Sequence, residues 1–400
     1  MPEPFEAIRI TDRVYWVGAI DWAIRDFHGY STGRGTTYNA YLVKADKVTL
    51  IDTVKAGFLD QLMSRVRSVV DPGEIDTIIS NHSEMDHSGS LPAVIESVRP
   101  SKVVASSMGV KALGEHFGLD GIEAVKDGES LDLGGVTASF YETRMLHWPD
   151  SMFTYLADED LLFSQDGFGM HLASTERFVD ELSDCVVDRE AAKYYANILL
   201  PFSPVVKKVL SKVEDLGIAP RFVCPDHGPV WRDETERIVS DYARWAEQKP
   251  TGKVVIAYDT MWGSTAKMAR AVADGVESSG RTAKVLPLRA STRSDVATEI
   301  LDAGALVVGT PTINNQMFPT LGDTLTYLRG LKPKNLIGAA FGSYGWSGEG
   351  AKHAHAILDD MGVELVRGVD DMVVSQYVPD DEALRSCREL GAEIGERLPE

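Results

Sequence analysis

The sequence predicts an α/β protein of two domains, the second of them a doubly wound parallel sheet. Its 400 residues exceed what a single hydrophobic core normally organises. The composition changes where a charged helical segment ends at Gln248, because Pro250 and Gly252 follow and an intensely apolar strand begins at Lys253. We therefore predict domains at 1–250 and 251–400.

The composition is that of a globular protein, with 44% hydrophobic and 25% charged residues. The net charge of -20 argues against nucleic acid and anionic membranes as partners. No apolar run approaches the roughly 20 residues needed to cross a bilayer, and the N-terminal residues lack the pattern of a secretory signal. We expect a cytoplasmic protein.

The elements of the first domain follow from apolar patterning. Strands are predicted at 13–19, 38–43, 48–54, 75–79, 102–106, 136–142, 152–157, 161–165 and 222–224. Helices are predicted at 57–70, 91–98, 110–118, 188–199 and 203–215. The long Gly-rich loop after the first strand carries His28 and Tyr30, and such loops are either functional covers or irregular surface.

The strand at 75–79 runs into the segment 80–89, S-N-H-S-E-M-D-H-S-G. Four side chains able to bind metal lie within six residues of this strand-to-helix loop: His82, Glu84, Asp86 and His87. A solvated polar loop is the simple alternative. This number of ligand types at this spacing favours a metal site.

Three further residues sit just past predicted strands, where an α/β fold gathers its site residues. They are His147, Asp166 and His227. A single His in such a place is usually structural. Together, however, the seven residues make two mixed sets of imidazole and carboxylate ligands, with Asp166 suited to bridge two metals.

The second domain alternates strand and helix. Strands are predicted at 253–258, 283–287, 304–309, 335–341 and 364–367. Helices are predicted at 265–279, 294–302, 319–330, 348–361 and 380–397. Five strands with intervening helices in about 150 residues fit a flavodoxin-like sheet.

Three loops at the carboxyl ends of these strands predict a flavin site. The first opens a helix with hydroxyl groups suited to a phosphate, and the third offers Tyr344 and Trp346 for stacking. Neither a Walker pattern nor G-x-G-x-x-G is present, so FMN fits better than a nucleoside triphosphate or a dinucleotide. The predicted FMN-binding residues are Thr260, Met261, Trp262, Gly263, Ser264, Thr265, Pro311, Thr312, Asn314, Asn315, Ser343, Tyr344, Gly345, Trp346, Ser347 and Gly348.

The order H-x-[EH]-x-D-H, then His, Asp and His, resembles the metallo-β-lactamase-like pattern, which implies an αββα sandwich with a binuclear site. Asp52 matches the first motif of that fold, where the Asp is usually structural. The hydrolases mostly have His where this chain has Glu84. With the three flavin loops, this exchange resembles the flavodiiron proteins.

That resemblance implies FMN and two non-haem iron ions per chain. By analogy, His82, Glu84 and His147 hold one iron, Asp86, His87 and His227 hold the other, and Asp166 bridges them. A carboxylate in place of an imidazole also favours iron over zinc. His28, Tyr30 and one of Tyr194 or Tyr195, with Tyr195 as the choice, are candidates to donate hydrogen bonds or protons to the bound gas.

The implied function is electron transfer from an external donor through FMN to the diiron site, which reduces dioxygen to water, nitric oxide to nitrous oxide, or both. Rubredoxin is the family's usual donor, and reduced deazaflavin serves some members. The three cysteines form no C-x-x-C pair, so no fused rubredoxin is expected. The resemblance also implies a head-to-tail homodimer or a dimer of dimers.

Two other functions fit parts of the sequence. One is a zinc hydrolase of the metallo-β-lactamase type with a regulatory flavodoxin domain, which metal analysis distinguishes. The other is an electron carrier whose first domain is a metal-free scaffold, and the seven intact ligand positions argue against it.

Overall fold

The computed structural model describes residues 4–399, which divide into two compact units. The first unit comprises the chain up to Tyr194 together with Pro204–Ala243, and the second comprises Tyr195–Ser203 and the chain from Arg244 onward. The division thus falls a few residues before the predicted boundary at 250. The short segment Tyr195–Ser203, which the sequence analysis placed in the first domain, lies in the second unit.

The strands of the first unit are, in chain order, β1 (Ile8–Arg9), β2 (Val14–Trp16), β3 (Ala19–Asp21), β4 (Asp26–Phe27), β5 (Tyr30–Ser31), β6 (Thr36–Tyr38), β7 (Tyr41–Val43), β8 (Val48–Ile51), β9 (Ile75–Ser80), β10 (Lys102–Ser106), β11 (Glu123–Val125), β12 (Ser130–Asp132), β13 (Thr137–Glu142), β14 (Met152–Leu156), β15 (Leu161–Gln165), β16 (Phe222–Pro225) and β17 (Trp231–Arg232). The helices over the same part of the chain are α1 (Leu59–Arg67), α2 (Met85–Ser88), α3 (Leu91–Val98), α4 (Ser107–Phe117), α5 (Asp184–Tyr194), α6 (Ser203–Asp215) and α7 (Thr235–Glu247).

Two sheets form the centre of the first unit. One has the order β1-β2-β7-β8-β9-β10-β11 and the other β12-β13-β14-β15-β16-β17. Apolar side chains such as Trp16 and Ile79 from the first sheet, and Phe140 and Phe163 from the second, share one buried core. Helices α1, α3 and α4 cover the first sheet through a second core. This layering agrees with the predicted sandwich.

The chain departs from the predicted strand 13–19 at Gly18. A Cβ added there would lie 2.3 Å from the Tyr38 carbonyl oxygen, so only glycine allows this close approach. Strand β2 therefore ends at Trp16, and β3 leaves the large sheet to pair with β6. The predicted helix 188–199 also divides, because α5 ends at Tyr194 and the π-helical turn Tyr195–Leu199 follows it.

The strands of the second unit are β18 (Lys253–Tyr258), β19 (Thr282–Pro287), β20 (Ala305–Ile313), β21 (Gln316–Met317), β22 (Ile337–Tyr344), β23 (Glu364–Leu365) and β24 (Val374–Gln376). Its further helices are α8 (Ser264–Ser278), α9 (Arg293–Ile300), α10 (Pro319–Leu331), α11 (Glu349–Asp360) and α12 (Asp381–Glu396).

The central sheet of this unit has the parallel order β19-β18-β20-β22-β23, which confirms the doubly wound topology. Helices α8 and α12 pack on its β18, β20 and β22 strands. These two helices touch at glycines, since a Cβ on Gly275 or Gly391 would lie 2.0 Å from a backbone oxygen of the opposite helix. None of the helices between residues 4 and 399 has the length and apolar character that crossing a lipid bilayer requires.

Candidate functional site

The seven predicted metal ligands form two groups in the first unit. One group consists of His82, Glu84, His147 and Asp166, and the other of Asp86, His87 and His227. Within each group the candidate ligand atoms lie within 4.8 Å of one another. The ligands follow β9, β13, β15 and β16, so strand ends from both sheets of the sandwich deliver them to one place.

Asp166 lies between the two groups. Its Oδ2 is 2.8 Å from His147 Nε2 and 3.4 Å from His82 Nε2. Its Oδ1 is 3.2 Å from His87 Nε2 and 3.5 Å from His227 Nε2. One carboxylate therefore presents one oxygen to each group, which is the arrangement of a ligand that bridges two cations.

The other two carboxylates each serve one group. Glu84 Oε2 lies 3.4 Å from the Nε2 atoms of both His82 and His147. Asp86 Oδ2 lies 3.4 Å from His87 Nε2 and 3.2 Å from His227 Nε2. His82 and Glu84 thus face one group and Asp86 faces the other, because the short helix α2 begins directly after Glu84 and changes the direction of the chain.

The polar atoms of this site fit a pair of metal ions. Buried polar atoms in proteins are normally hydrogen-bonded. Within residues 4–399, however, His82 Nε2, His87 Nε2, both oxygens of Asp86 and Asp166 Oδ1 are buried without a hydrogen-bond partner. Cations between these atoms would satisfy them. A donor set of imidazole nitrogen and carboxylate oxygen suits iron or zinc.

The electrostatics of the site favour positive charge. Burial lowers the pKa of His87, but Asp86 and Asp166 outweigh it and raise that pKa to about 9. Burial raises the pKa of Glu84, but His147 and His82 outweigh it and lower that pKa to about 2. The carboxylates are therefore ionised at neutral pH and stabilise any cation held among them.

Two groups that the sequence analysis did not identify contact the Nδ1 atoms of candidate ligand imidazoles, on the side of the ring opposite the metal site. Asp150 Oδ2 lies 3.1 Å from His82 Nδ1 and accepts a hydrogen bond of 2.6 Å from the Ser83 N–H. The Thr37 carbonyl oxygen lies 2.6 Å from His227 Nδ1. Such contacts hold the ring so that its Nε2 faces the metal. Asp150 follows His147 by three residues, so its place in the same loop was the available signal.

The three predicted hydrogen-bond donors lie in different places. His28 Nε2 is 3.7 Å from Glu84 Oε1, and its side chain is exposed. Tyr30 is buried, with its ring 5.0 Å from that of His171. Tyr195 belongs to the second unit, where its hydroxyl pairs with Ser203 Oγ at 3.1 Å and its ring packs on Trp245.

Tyr194 lies beside the candidate ligand His227. Its ring centroid lies 6.1 Å from that of His227 and 5.1 Å from that of His171. Burial raises its pKa well above the usual range, and the carboxylates of Asp166, Asp86 and Glu84 add to that effect. Tyr194 therefore keeps its proton at neutral pH. His171, which the sequence analysis did not select, packs on His227 with a centroid distance of 4.5 Å.

The second unit has a cavity of about 590 Å³ at the carboxyl ends of β18, β20 and β22. The predicted FMN residues that line it are Met261, Trp262, Ser264, Pro311, Thr312, Asn314, Asn315, Ser343, Tyr344, Gly345, Trp346 and Ser347, and the cavity adds Ile313, Tyr377 and Val378. The remaining predicted residues, Thr260, Gly263, Thr265 and Gly348, do not line it.

These four residues support the loops instead. Thr260 Oγ1 accepts a hydrogen bond from the Gly263 N–H, and the Thr265 hydroxyl pairs with Ser343 Oγ at 2.9 Å. Gly348 lies against the Tyr344 ring.

The cavity has the features that FMN needs. Trp262 and Trp346 are 95% and 85% exposed at its rim, which is unusual for indole rings unless a flat ligand covers them. Helix α8 begins after Gly263 without a side-chain cap, so its first backbone N–H groups are available to a phosphate. An isoalloxazine ring and a single phosphate match these two features.

Comparison with known proteins relates both units to characterised families. Residues 36–228 match the family described as ODP family beta lactamase, and residues 256–391 match the flavodoxins. The rubredoxin-oxygen oxidoreductase of Megalodesulfovibrio gigas is 48% identical over 90% of this chain and 91% of its own. The nitric oxide reductase of Moorella thermoacetica is 45% identical over 98% and 99%. The crystal structure of the flavodiiron protein from Giardia intestinalis superposes with a TM-score of 0.91 at 31% identity, covering 99% of this chain and 98% of that one.

Proposed function

This chain belongs to the flavodiiron proteins, and from that premise we propose how its residues hold the cofactors and serve the reaction. It is an oxidoreductase in which FMN, when bound, relays electrons from an external donor to a non-haem diiron site that reduces dioxygen, nitric oxide or both. The alternative of a zinc hydrolase is not favoured, because the matching relatives are named as oxidoreductases.

We propose that His82, Glu84 and His147 hold one iron, and that Asp86, His87 and His227 hold the other. The two oxygens of Asp166, each facing one group, are the observation that carries this assignment. His87 is included because its Nε2 faces both Asp86 and Asp166.

Removal of the bridge tests the assignment. Asp166→Ala should lose most of its iron and its gas reduction, because both ions lose a shared anionic ligand, while the flavin spectrum persists. Asp215→Ala, at an exposed position at the end of α6, is the control. Iron per chain is measured by metal analysis. Retention of both irons with full turnover in Asp166→Ala would show that the bridging assignment is wrong.

Protons for the reaction would come from residues beside the ligands. His28 is exposed and near Glu84, so its Nε2 is suited to carry a proton from solvent to the site. Tyr194 keeps its hydroxyl proton at neutral pH and is suited to donate a hydrogen bond to the substrate gas. Tyr30 packs on the same His171 ring as Tyr194. No side chain is required as a nucleophile.

We propose that the first turn of α8, with Ser264, binds the FMN phosphate. The side chains of Tyr344, Trp346 and Trp262 would then stack on or border the isoalloxazine ring. A small redox protein such as rubredoxin is the proposed donor, since the relative from Megalodesulfovibrio gigas is named for it. Reduced deazaflavin is the other donor class to test. The proposed assembly is a head-to-tail homodimer or a dimer of such dimers, in which the FMN of one chain serves the irons of the other.

A further inference from the structure

A buried hydroxyl group joins two imidazole rings beside the second group of ligands. Thr36 Oγ1 lies 2.8 Å from His171 Nδ1 and 3.2 Å from His227 Nδ1. All three residues are almost fully buried. We propose that His171 is a positioning residue that acts through Thr36 to orient His227 and strengthen its bond to metal. This inference rests on the proposed role of His227 as a ligand.

The proton on His227 is placed by its neighbours. A histidine that binds metal through Nε2 carries its proton on Nδ1. The Thr37 carbonyl oxygen, 2.6 Å away, can only accept a hydrogen bond. His227 Nδ1–H therefore donates to Thr37, and Thr36 Oγ1 is a second acceptor on the same side.

The hydroxyl proton of Thr36 must then point elsewhere. The acceptors within reach are His171 Nδ1 at 2.8 Å and the Thr37 carbonyl oxygen at 3.2 Å. The contact to His171 is shorter, and the Thr37 oxygen already receives the proton of His227. A hydroxyl that donates to one partner becomes a better acceptor for another. His171 thereby makes Thr36 a stronger acceptor for His227 and increases the electron donation of that ring to metal.

Three aromatic side chains hold the ring of His171 in place. Its ring packs on Phe27, Tyr30 and Tyr194 with centroid distances of 5.1, 5.0 and 5.1 Å, which holds one orientation. With Nδ1 accepting, the proton of the neutral ring resides on Nε2. That atom is buried and has no hydrogen-bond partner among residues 4–399. The contact with Thr36 is thus the polar anchor that the structure gives this ring.

Matched substitutions separate the two nitrogens of His171. An Asn side chain can place its oxygen near the position of Nδ1, whereas Gln reaches toward Nε2 and Leu offers neither. We expect His171→Leu and His171→Gln to lose iron(II) to a chelator roughly tenfold faster than the native protein. Their iron midpoint potentials should rise, because His227 donates less charge to the metal. His171→Asn should stay close to the native protein in both measurements.

Changes at Thr36 test the link directly. Thr36→Val should behave like His171→Leu, and Thr36→Ser, which keeps the hydroxyl, should not. Adding Thr36→Val to His171→Leu should change iron loss little further, because the same link is already broken. Far-ultraviolet circular dichroism and thermal unfolding of each variant, compared with the native protein, check that the first unit, which contains both residues, remains folded.

Three results would overturn the proposal. Native iron retention in His171→Leu would show that the ring has no role. Recovery by Gln but not by Asn would place its action at Nε2. Full additivity of the Thr36 and His171 changes would show that they act separately. Failure of the native protein itself to bind iron would instead refute the metal assignment on which the inference rests.

Discussion

At the scale of single residues, Asp150 connects the loop that follows β13 to His82 and Ser83 after β9 and to Ser106 at the end of β10. Its Oδ2 meets both His82 Nδ1 and the Ser83 N–H, and its carbonyl oxygen accepts a hydrogen bond of 2.7 Å from Ser106 Oγ. Burial raises the pKa of Asp150, but the contacts with His82 and Ser83 outweigh it and hold that pKa below its usual range. The group is therefore an anion that polarises the imidazole of His82.

Asp150→Asn should keep the shape of the loop but remove this charge. We expect roughly a 10- to 100-fold loss of iron affinity or of gas reduction, as is typical when a partner of a metal-bound His is neutralised. Chelator competition and oxygen or nitric oxide consumption measure the two effects. Glu236→Gln on an exposed face of α7 is the control for loss of one negative charge. Equal iron retention in both variants would show that Asp150 has no influence on the metal.

The seven residues that we propose as ligands could be selected from the sequence because their chemistry is unusual and their places, a short loop and three strand ends, are local features. The groups that orient them could not. Thr37 contacts His227 through its backbone carbonyl oxygen, which any residue type would offer. His171 is distant from His227 in the sequence, and only the folded chain brings the two rings together. The choice between Tyr194 and Tyr195 could not be made from the sequence, because adjacent residues of a helix differ by about 100° in direction and no local pattern gave the phase.

At the scale of elements, the three flavin loops owe their convergence to the parallel sheet. Strands β18, β20 and β22 are neighbours in that sheet, so their carboxyl ends form one edge of the cavity. The loops were predictable because each follows a long apolar strand. Tyr377 and Val378 were missed because β24 is a short strand that pairs with β22, and such distant pairing leaves little trace in the local sequence.

A charge at the first turn of α8 should prevent FMN binding. Ser264→Asp places a carboxylate where the phosphate is proposed to lie, and the repulsion of like charges should weaken FMN binding by at least tenfold, about 1.4 kcal/mol. In the native protein, added FMN should quench tryptophan fluorescence, since Trp262 and Trp346 stand exposed at the cavity. Thr282→Asp, exposed at the start of β19, is the matched control. Tight FMN binding by Ser264→Asp would exclude this phosphate site.

At the scale of the whole molecule, the second unit should fold by itself, because its complete sheet lies within one stretch of chain. A fragment of residues 244–400 keeps Gln248, whose side-chain and backbone oxygens accept hydrogen bonds from the Lys334 N–H and Asn335 Nδ2. It lacks Asn197, which pairs with Ser294 and Tyr327. We expect the fragment to bind FMN but to be roughly 2 kcal/mol less stable than the same unit in the intact chain.

A second fragment, residues 251–400, is the comparison, since it also loses the contacts of Gln248 and should be less stable again. Denaturant unfolding followed by flavin fluorescence measures both. Each fragment should accept electrons yet consume almost no dioxygen beyond slow flavin autoxidation, because the proposed iron ligands belong to the first unit. A folded fragment that failed to bind FMN would contradict the flavodoxin assignment.

The proposed head-to-tail dimer predicts that electrons pass from the FMN of one chain to the irons of the other. Electron transfer slows steeply with distance, so FMN and iron must lie close together, and a closed two-fold pair supplies two such contacts at once.

His147→Ala disables the iron site of one chain, and Ser264→Asp disables the FMN site of the other. After the two inactive proteins are unfolded and refolded together, half of the dimers should be mixed, each with one intact FMN opposite one intact iron site. Transfer between chains then predicts about a quarter of native activity. Transfer within a chain predicts none, since every chain lacks half of its own pathway. Inactive mixtures in which mass spectrometry confirms the mixed dimers would rule out the head-to-tail arrangement.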